Sequence, residues 1–258
     1  MAEERVRKEL LESGTLLRLV LDRPPGNILT SGLMEQLGHE LASHQNERSL
    51  HMVVLQGADG QFSWGASVEE HRKPSAPGML RALSRLVRTI ACYPVPVAAL
   101  VEGRCLGGGF ELALACQLVF TTKDAQLGCP EITLGVFPPV LAALGPRRLG
   151  GALSDRLVLT GETLSAAEAR ACGFSAAILD GPDPFAQFTE WYRKGPLRRS
   201  AAALRTAALA IRAGNEPLLG ARLDALEQLY LDRVLGSHDG NEGIEAFVAR
   251  RAPVWKDA

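Results

Sequence analysis

The chain has no run of basic residues, no CxxC pair, no His-rich cluster and no apolar stretch of membrane-spanning length, and each lack closes a class of function. With no basic run, a net charge of −1 and only 5% aromatic residues, it offers no groove for tracking nucleic-acid phosphates. Pro, Gly, Arg or Glu breaks every apolar segment short of the roughly 20 residues needed to cross a bilayer, so no membrane span is expected. Cys92, Cys105, Cys116, Cys129 and Cys172 lack metal-ligand or redox spacing and read as reduced, mostly buried small hydrophobes. No metal and no redox cofactor is expected. Residues 1–9 alternate in charge and lack the apolar centre of a signal peptide, which points to a soluble cytoplasmic protein. At 258 residues and 47% hydrophobic, the chain suffices for one substantial core, or a core with a helical appendage.

What is present is an alternation of short apolar runs and amphipathic stretches. Residues 16–21 read as a strand ending at Arg23-Pro24-Pro25-Gly26, and Thr30 and Ser31 can cap a helix with Leu33, Met34, Leu37 and Leu41 on one side. Residues 52–55 form the next strand. Met79, Leu80, Leu83, Leu86, Val87 and Ile90 then recur at helical spacing before Pro94-Val95-Pro96 and a strand over 97–101. Strands follow over 118–121 and 176–179, and between them Ser165-Ala166-Ala167-Glu168 is a capping box whose helix should stop at Gly173. From about Pro182 the pattern turns helical: Leu204, Ala208 and Ile211 share one face, and Leu219, Leu223, Leu226, Tyr230 and Val234 another. The expected organisation is an α/β core over 1–181 and a C-terminal helical cap or oligomerisation region over 182–258, without an evident linker or visible internal repeat.

The chemistry concentrates at Cys105-Leu106-Gly107-Gly108-Gly109-Phe110-Glu111-Leu112-Ala113, which follows the 97–101 strand. Three glycines leave no Cβ to keep a ligand from the backbone, and the apolar run 112–116 behind them is helix-compatible. Backbone N–H groups at a helix start carry the positive end of its dipole and favour an oxygen gaining negative charge, such as a thioester carbonyl becoming an enolate. Glu111, three residues after Gly108, falls about one turn away and could hold a water beside the same substrate. Its apolar neighbours predict desolvation, which raises a carboxylate pKa towards the range useful for proton transfer. A second carboxylate, Glu131, stands in Gly128-Cys129-Pro130-Glu131. Taken singly these signals have bland readings: a glycine triplet marks a tight turn or close helix packing, and most glutamates are solvated. The triplet is no dinucleotide fingerprint, because no G-x-G-x-x-G opens a helix here.

A third segment, Phe62-Ser63-Trp64-Gly65-Ala66-Ser67-Val68-Glu69-Glu70-His71, follows the 52–55 strand and its Gly57-Ala58-Asp59-Gly60 turn. With it, the chain resembles the crotonase, or enoyl-CoA hydratase/isomerase, superfamily over nearly its whole length. The resemblance implies an α/β spiral of repeated ββα units followed by a helical region that usually mediates trimers pairing into hexamers. It further implies an oxyanion hole from the N–H groups of Ala66 and Gly108, and Glu111 and Glu131 as the carboxylates that manage water. The acyl-CoA substrate brings coenzyme A with it, so no separate cofactor is implied, and its adenine would meet backbone near Trp64, Gly65, Ala66 and Val68. Arg23 and Lys73 are candidates for CoA phosphates or plain surface charges. His71 is expected to make a local hydrogen bond rather than to catalyse.

Within the family, the 62–71 segment, Cys129-Pro130-Glu131-Ile132-Thr133-Leu134-Gly135-Val136-Phe137, Leu229-Tyr230-Leu231-Asp232 and Ser237-His238-Asp239 look like the branch that hydrates a cyclic dienoyl-CoA in anaerobic benzoyl-CoA degradation. Ser67 replaces an aspartate common in the family, and Phe137-Pro138-Pro139-Val140 replaces a glycine-rich turn, which argues against straight-chain enoyl-CoA specificity. Phe62, Trp64 and Phe137 are candidates for an apolar wall or for simple core packing. A generic enoyl-CoA hydratase, an enoyl-CoA isomerase and a catalytically silent scaffold remain as alternatives. Residues 239–251 could reach over the site, from the same subunit or a neighbour.

Overall fold

The computed structural model describes residues 5–213 and 216–257; residues 1–4, part of the charged opening segment, lie outside the described residues. A six-stranded sheet organises them, in the order β1 (Arg5–Leu11), β2 (Leu16–Asp22), β3 (Met52–Gly57), β4 (Val97–Val101), β6 (Leu118–Thr122) and β9 (Ala177–Leu179). β1 pairs with β2 antiparallel, and the remaining neighbours are parallel. A smaller sheet joins β5 (Arg104–Leu106), β7 (Gln126–Gly128) and β8 (Thr163–Ser165).

The parallel strands are apolar without interruption because both faces are covered. Val53 and Leu55 enter the main core with α1 (Ser31–His44) and α2 (Ala76–Ala91), while Met52 and Val54 meet Phe188 and Tyr192 of α7 (Pro184–Lys194) on the opposite face. Each fully buried side chain of this size contributes roughly 1.5–3 kcal/mol, so neither face could be left to solvent. α1 begins where predicted: Thr30 Oγ1 accepts from the Leu33 amide at 3.1 Å, and Leu33, Met34, Leu37 and Leu41 are buried. The Ser165/Glu168 capping box starts α6 (Ala166–Ala171), and Gly173, at φ +81°, follows its end.

The spiral of ββα units is present. After β4 the chain forms β5 and then α3 (Gly108–Ala115); after β6 it forms β7 and then α4 (Pro139–Arg148). Earlier turns of the spiral reduce the second strand to single bridges, Leu29 to Ala66 before and after α1 and Ser63 to Cys105 before α2. A repeat carried by one bridge or three residues leaves no periodic trace, which explains why none was visible in the sequence.

Several elements were not anticipated, the three-residue strands β5, β7 and β8 among them. β1 is an edge strand whose Arg, Lys and Glu residues hide its alternation, and α4 and α5 (Gly151–Thr160) lie in a stretch broken by Pro and Gly. Towards the C-terminus, α8 (Ala201–Arg212) buries Ala208 but leaves Ile211 58% exposed, so the anticipated face is only partly covered within this chain. α9 (Glu216–Leu229) passes into a π-helical turn, Tyr230–Val234, and α10 (His238–Val248) completes the helices. Among the described residues no helix is long and apolar enough to cross a membrane.

Candidate active site

The candidate site forms where β5 hands over to α3. Gly107 sits at φ +49°, ψ −129°, open to glycine and costly for other residues, and this sharp turn starts α3 at Gly108, inside the triplet rather than behind it. Each glycine meets a different neighbour. A Cβ on Gly107 would lie 2.7 Å from Glu131 Oε1, on Gly108 3.2 Å from the Ala66 nitrogen, and on Gly109 2.7 Å from Ser63 Cβ. A tight turn and two close packings are thus shared out among three successive residues.

The Ala66 side is held by backbone. Asn27 Nδ2 donates to the carbonyls of Ala58 (3.0 Å) and Gln61 (2.7 Å), fixing the turn after β3. Ser63 Oγ donates to the Asn27 carbonyl and accepts from the Gly65 amide, and Gly65 takes φ +108°. Leu29 then brackets Ala66: its amide donates to Gly65 O (2.9 Å) and its carbonyl accepts from Ser67 N (2.8 Å). The amides of Ala66 and Gly108, side by side, have no protein acceptor among the described residues. Two neighbouring unsatisfied N–H groups, one at a helix N-terminus, are the kind of donors that can receive a developing oxyanion.

Both glutamates turn inward. Glu111 is 2% exposed, and its Oε1 accepts from the amides of Val140 (2.7 Å) and Leu141 (3.0 Å) at the start of α4. Phe137-Pro138-Pro139-Val140 is therefore structural: Pro139 opens α4 without needing an amide partner, and the next two amides grip the catalytic candidate. Burial raises the Glu111 carboxyl to about 7 against the pull of those two amides. Glu131 stands in the 3-10 turn Pro130–Leu134, and burial, reinforced by the Glu111 charge, raises it to about 8. Its Oε2 is buried without a hydrogen-bond partner.

The other predicted residues divide. Phe62 is fully buried and belongs to the core. Trp64 is 39% exposed; its ring lies over Gly26, its Nε1 donates to Gln61 Oε1, and the Arg104 guanidinium stands 5.3 Å from the ring. Val68 is half-buried at the start of a 3-10 turn, Val68–His71, and packs on the main core. His71 Nδ1 bonds the Ser67 carbonyl at 2.8 Å, and burial lowers its pKa, as expected of a local contact. Phe137 is half-buried with its ring 5.5 Å from that of Tyr230. Tyr230, 1% exposed, carries a buried hydroxyl without a partner, and the charges of Glu131 and Glu111 add to burial in raising its phenol. Sequence reasoning placed Tyr230 on a helical face and in a segment resembling the cyclic-dienoyl branch but gave it no role; a phenol among leucines on that face was the available signal.

α10 covers the site from its own chain. It packs on both 3-10 turns, those of Val68 and Glu131, so closely that a Cβ on Gly243 would lie 2.1 Å from the Leu134 carbonyl. Glu242 pairs with Arg251, and the amides of Lys256 and Asp257 donate to Asp239, which ties the tail back onto the helix.

Two unpartnered amides at a strand end beside two inward carboxyls, on a ββα spiral, define a class. The chain belongs to the enoyl-CoA hydratase/isomerase family, whose model matches residues 12–258, and is a hydro-lyase of the enoyl-CoA hydratase type. It is 38% identical to the cyclohexa-1,5-dienecarbonyl-CoA hydratase of Thauera aromatica, over 96% of this chain and 95% of that one. Identity to the 2,3-dehydroadipyl-CoA hydratase of Escherichia coli is 32%, covering 93% and 95% of the two chains. Among solved structures, an enoyl-CoA hydratase from Mycobacterium avium subsp. paratuberculosis K-10 superposes with a TM-score of 0.84 at 28% identity, covering 98% of each chain.

Proposed function

We propose that this protein adds water to cyclohexa-1,5-diene-1-carbonyl-CoA, giving 6-hydroxycyclohex-1-ene-1-carbonyl-CoA, or runs the reverse dehydration. The observation that carries the chemistry is the pair of buried carboxylates beside two adjacent unpartnered amides. In this reading the thioester oxygen sits between the N–H groups of Ala66 and Gly108, which stabilise the enolate as water adds across the conjugated system. Glu111, held by two amides that favour its ionised form, takes the proton from water, and Glu131, the higher of the two, delivers a proton to carbon. The pair titrates as a unit, so the two roles exchange on reversal. Backbone at Trp64, Gly65 and Val68 meets the CoA moiety, and Phe137 lines the acyl side. Coenzyme A arrives as part of the substrate, and no further cofactor is needed.

The ring substrate is favoured over a straight-chain one by the 38% identity to the Thauera aromatica enzyme across 96% of this chain. Generic enoyl-CoA hydration is the second reading, favoured by the 32% identity to the Escherichia coli enzyme. Residues 182–258 act as cap and oligomerisation region in this proposal, with exposed Leu209, Ile211 and Leu218 available to a second copy in a cytoplasmic trimer or hexamer. The test is to incubate purified protein with crotonyl-CoA and cyclohexa-1,5-diene-1-carbonyl-CoA and follow the gain of one water by mass. Preference for crotonyl-CoA overturns the ring assignment; hydration of neither overturns the function.

A further inference from the structure

Two buried polar atoms near the reacting centre have no partner: Glu131 Oε2 and the hydroxyl of Tyr230. Buried polar groups are nearly always hydrogen-bonded, so two orphans in one region mark the place of a polar group that arrives with solvent or substrate. Phe137, whose ring lies 5.5 Å from that of Tyr230, stands between the Glu131 turn and the α4 amides that hold Glu111, so the phenol belongs to the same buried region as the two carboxyls, whose charges both raise it. The Phe137 ring packs against the Tyr230 ring and restricts where its hydroxyl can point. Glu111, for its part, has one oxygen committed to the amides of α4.

Resting on the hydratase reading above, we propose that Tyr230 is a third polar contact of the reacting oxygen, its phenol donating a hydrogen bond to the water that adds and to the hydroxyl it becomes. The chemistry of the partners requires such a group. Glu111, as the ionised base, only accepts from the water, and the proton on Glu131 is spent on carbon, so neither carboxyl donates to the free lone pair of the water. Tyr230 supplies that donor, and it stays a neutral phenol because burial and the two adjacent carboxylates oppose its ionisation. Once water has added, the new hydroxyl accepts from Tyr230 and donates to a carboxylate, so every polar group is satisfied. In dehydration the same donor stabilises charge on the departing oxygen. No bond is made or broken at Tyr230, and its role is to hold the oxygen and select for it.

The test is Tyr230→Phe, which keeps the ring against Phe137 and removes only the hydroxyl. Initial rates with cyclohexa-1,5-diene-1-carbonyl-CoA are inhibited either by the product, 6-hydroxycyclohex-1-ene-1-carbonyl-CoA, or by cyclohexane-1-carbonyl-CoA, which lacks the hydroxyl. The expected result is product affinity weakened by roughly fivefold or more, the loss of about one hydrogen bond, and lower kcat, with cyclohexane-1-carbonyl-CoA affinity within about twofold and Tm not lowered. Equal losses for both inhibitors, or none, overturn the role of Tyr230 while the hydratase reading stands. If crotonyl-CoA is the ester hydrated, 3-hydroxybutyryl-CoA and butyryl-CoA make the same comparison. If the wild type hydrates neither ester, the function it rests on has failed and the proposal falls with it.

Discussion

Glu111 and Glu131 are the same residue type, both with carboxyls turned inward, yet their surroundings are opposites. Glu111 grows from a regular helix and is clamped by the first free amides of a second helix, α4. Glu131 rides on a short 3-10 turn with one oxygen against Gly107 and the other unpartnered. Two amides offset part of the desolvation at Glu111, whereas at Glu131 the neighbouring charge adds to it. The difference teaches that identical side chains part by their surroundings: two amides oppose the effect of burial at Glu111, and a neighbouring charge adds to it at Glu131.

The sharpest way to break that contrast is to remove each charge in turn. Glu111→Gln and Glu131→Gln should each lower kcat by roughly 10²- to 10⁴-fold, with KM for the CoA ester changed far less. Steady-state kinetics check this, and near-normal turnover in either variant takes that residue out of the chemistry. The next effect tests the backbone side. A Cβ on Gly108 would meet Ala66 N at 3.2 Å and Ala66 Cβ at 3.3 Å, crowding the Ala66 amide. Gly108→Ala should therefore slow turnover by roughly a hundredfold while the protein stays folded.

A pH series sharpens the comparison without touching the active-site backbone. Both carboxyls have folded pKa values raised above the ordinary 4.5, so the folded protein binds protons that the unfolded chain has released. Their contribution to stability is fully present below about 4.5 and is lost as pH rises through about 7 for Glu111 and about 8 for Glu131. Tm should fall across that window in the wild type. Glu131→Gln, which cannot ionise, should flatten the upper part of the fall; an unchanged slope would mean that Glu131 does not titrate there.

Much of this was legible in sequence, for identifiable reasons. Strands over 52–55 and 97–101 are uninterrupted apolar runs, and the buried residues of α1 and α2 sit at plain helical spacing. The glycine triplet and both glutamates were visible because they are local. What escaped was either disguised or distant. β1 is an edge strand of alternating charges, and β5, β7 and β8 have three residues each, too few for a period. The clamp on Glu111 comes from amides 29 and 30 residues away, which no spacing rule connects. Tyr230 meets Phe137, which follows the Glu131 turn, from a π-helical turn about 90 residues further along the chain, a contact that local pattern does not announce.

The smallest effect belongs on the far face of the sheet, where structure and chemistry should separate. Asp183 Oδ1 accepts from the Ala186 amide at 2.9 Å and caps α7, whose Phe188 and Tyr192 pack on Met52, Val54 and Phe120, away from the carboxylates. Asp183→Ala removes one N-cap, which costs about 1 kcal/mol and should lower Tm by roughly 2–4 °C. Because α7 touches the sheet and not the turn of Gly107 or the start of α4, kcat at a temperature well below Tm should not change. A parallel loss of turnover would show that the sheet transmits strain from one face to the other, and the carboxylate pair would then depend on the whole body of the protein and not only on the amides and glycines beside it.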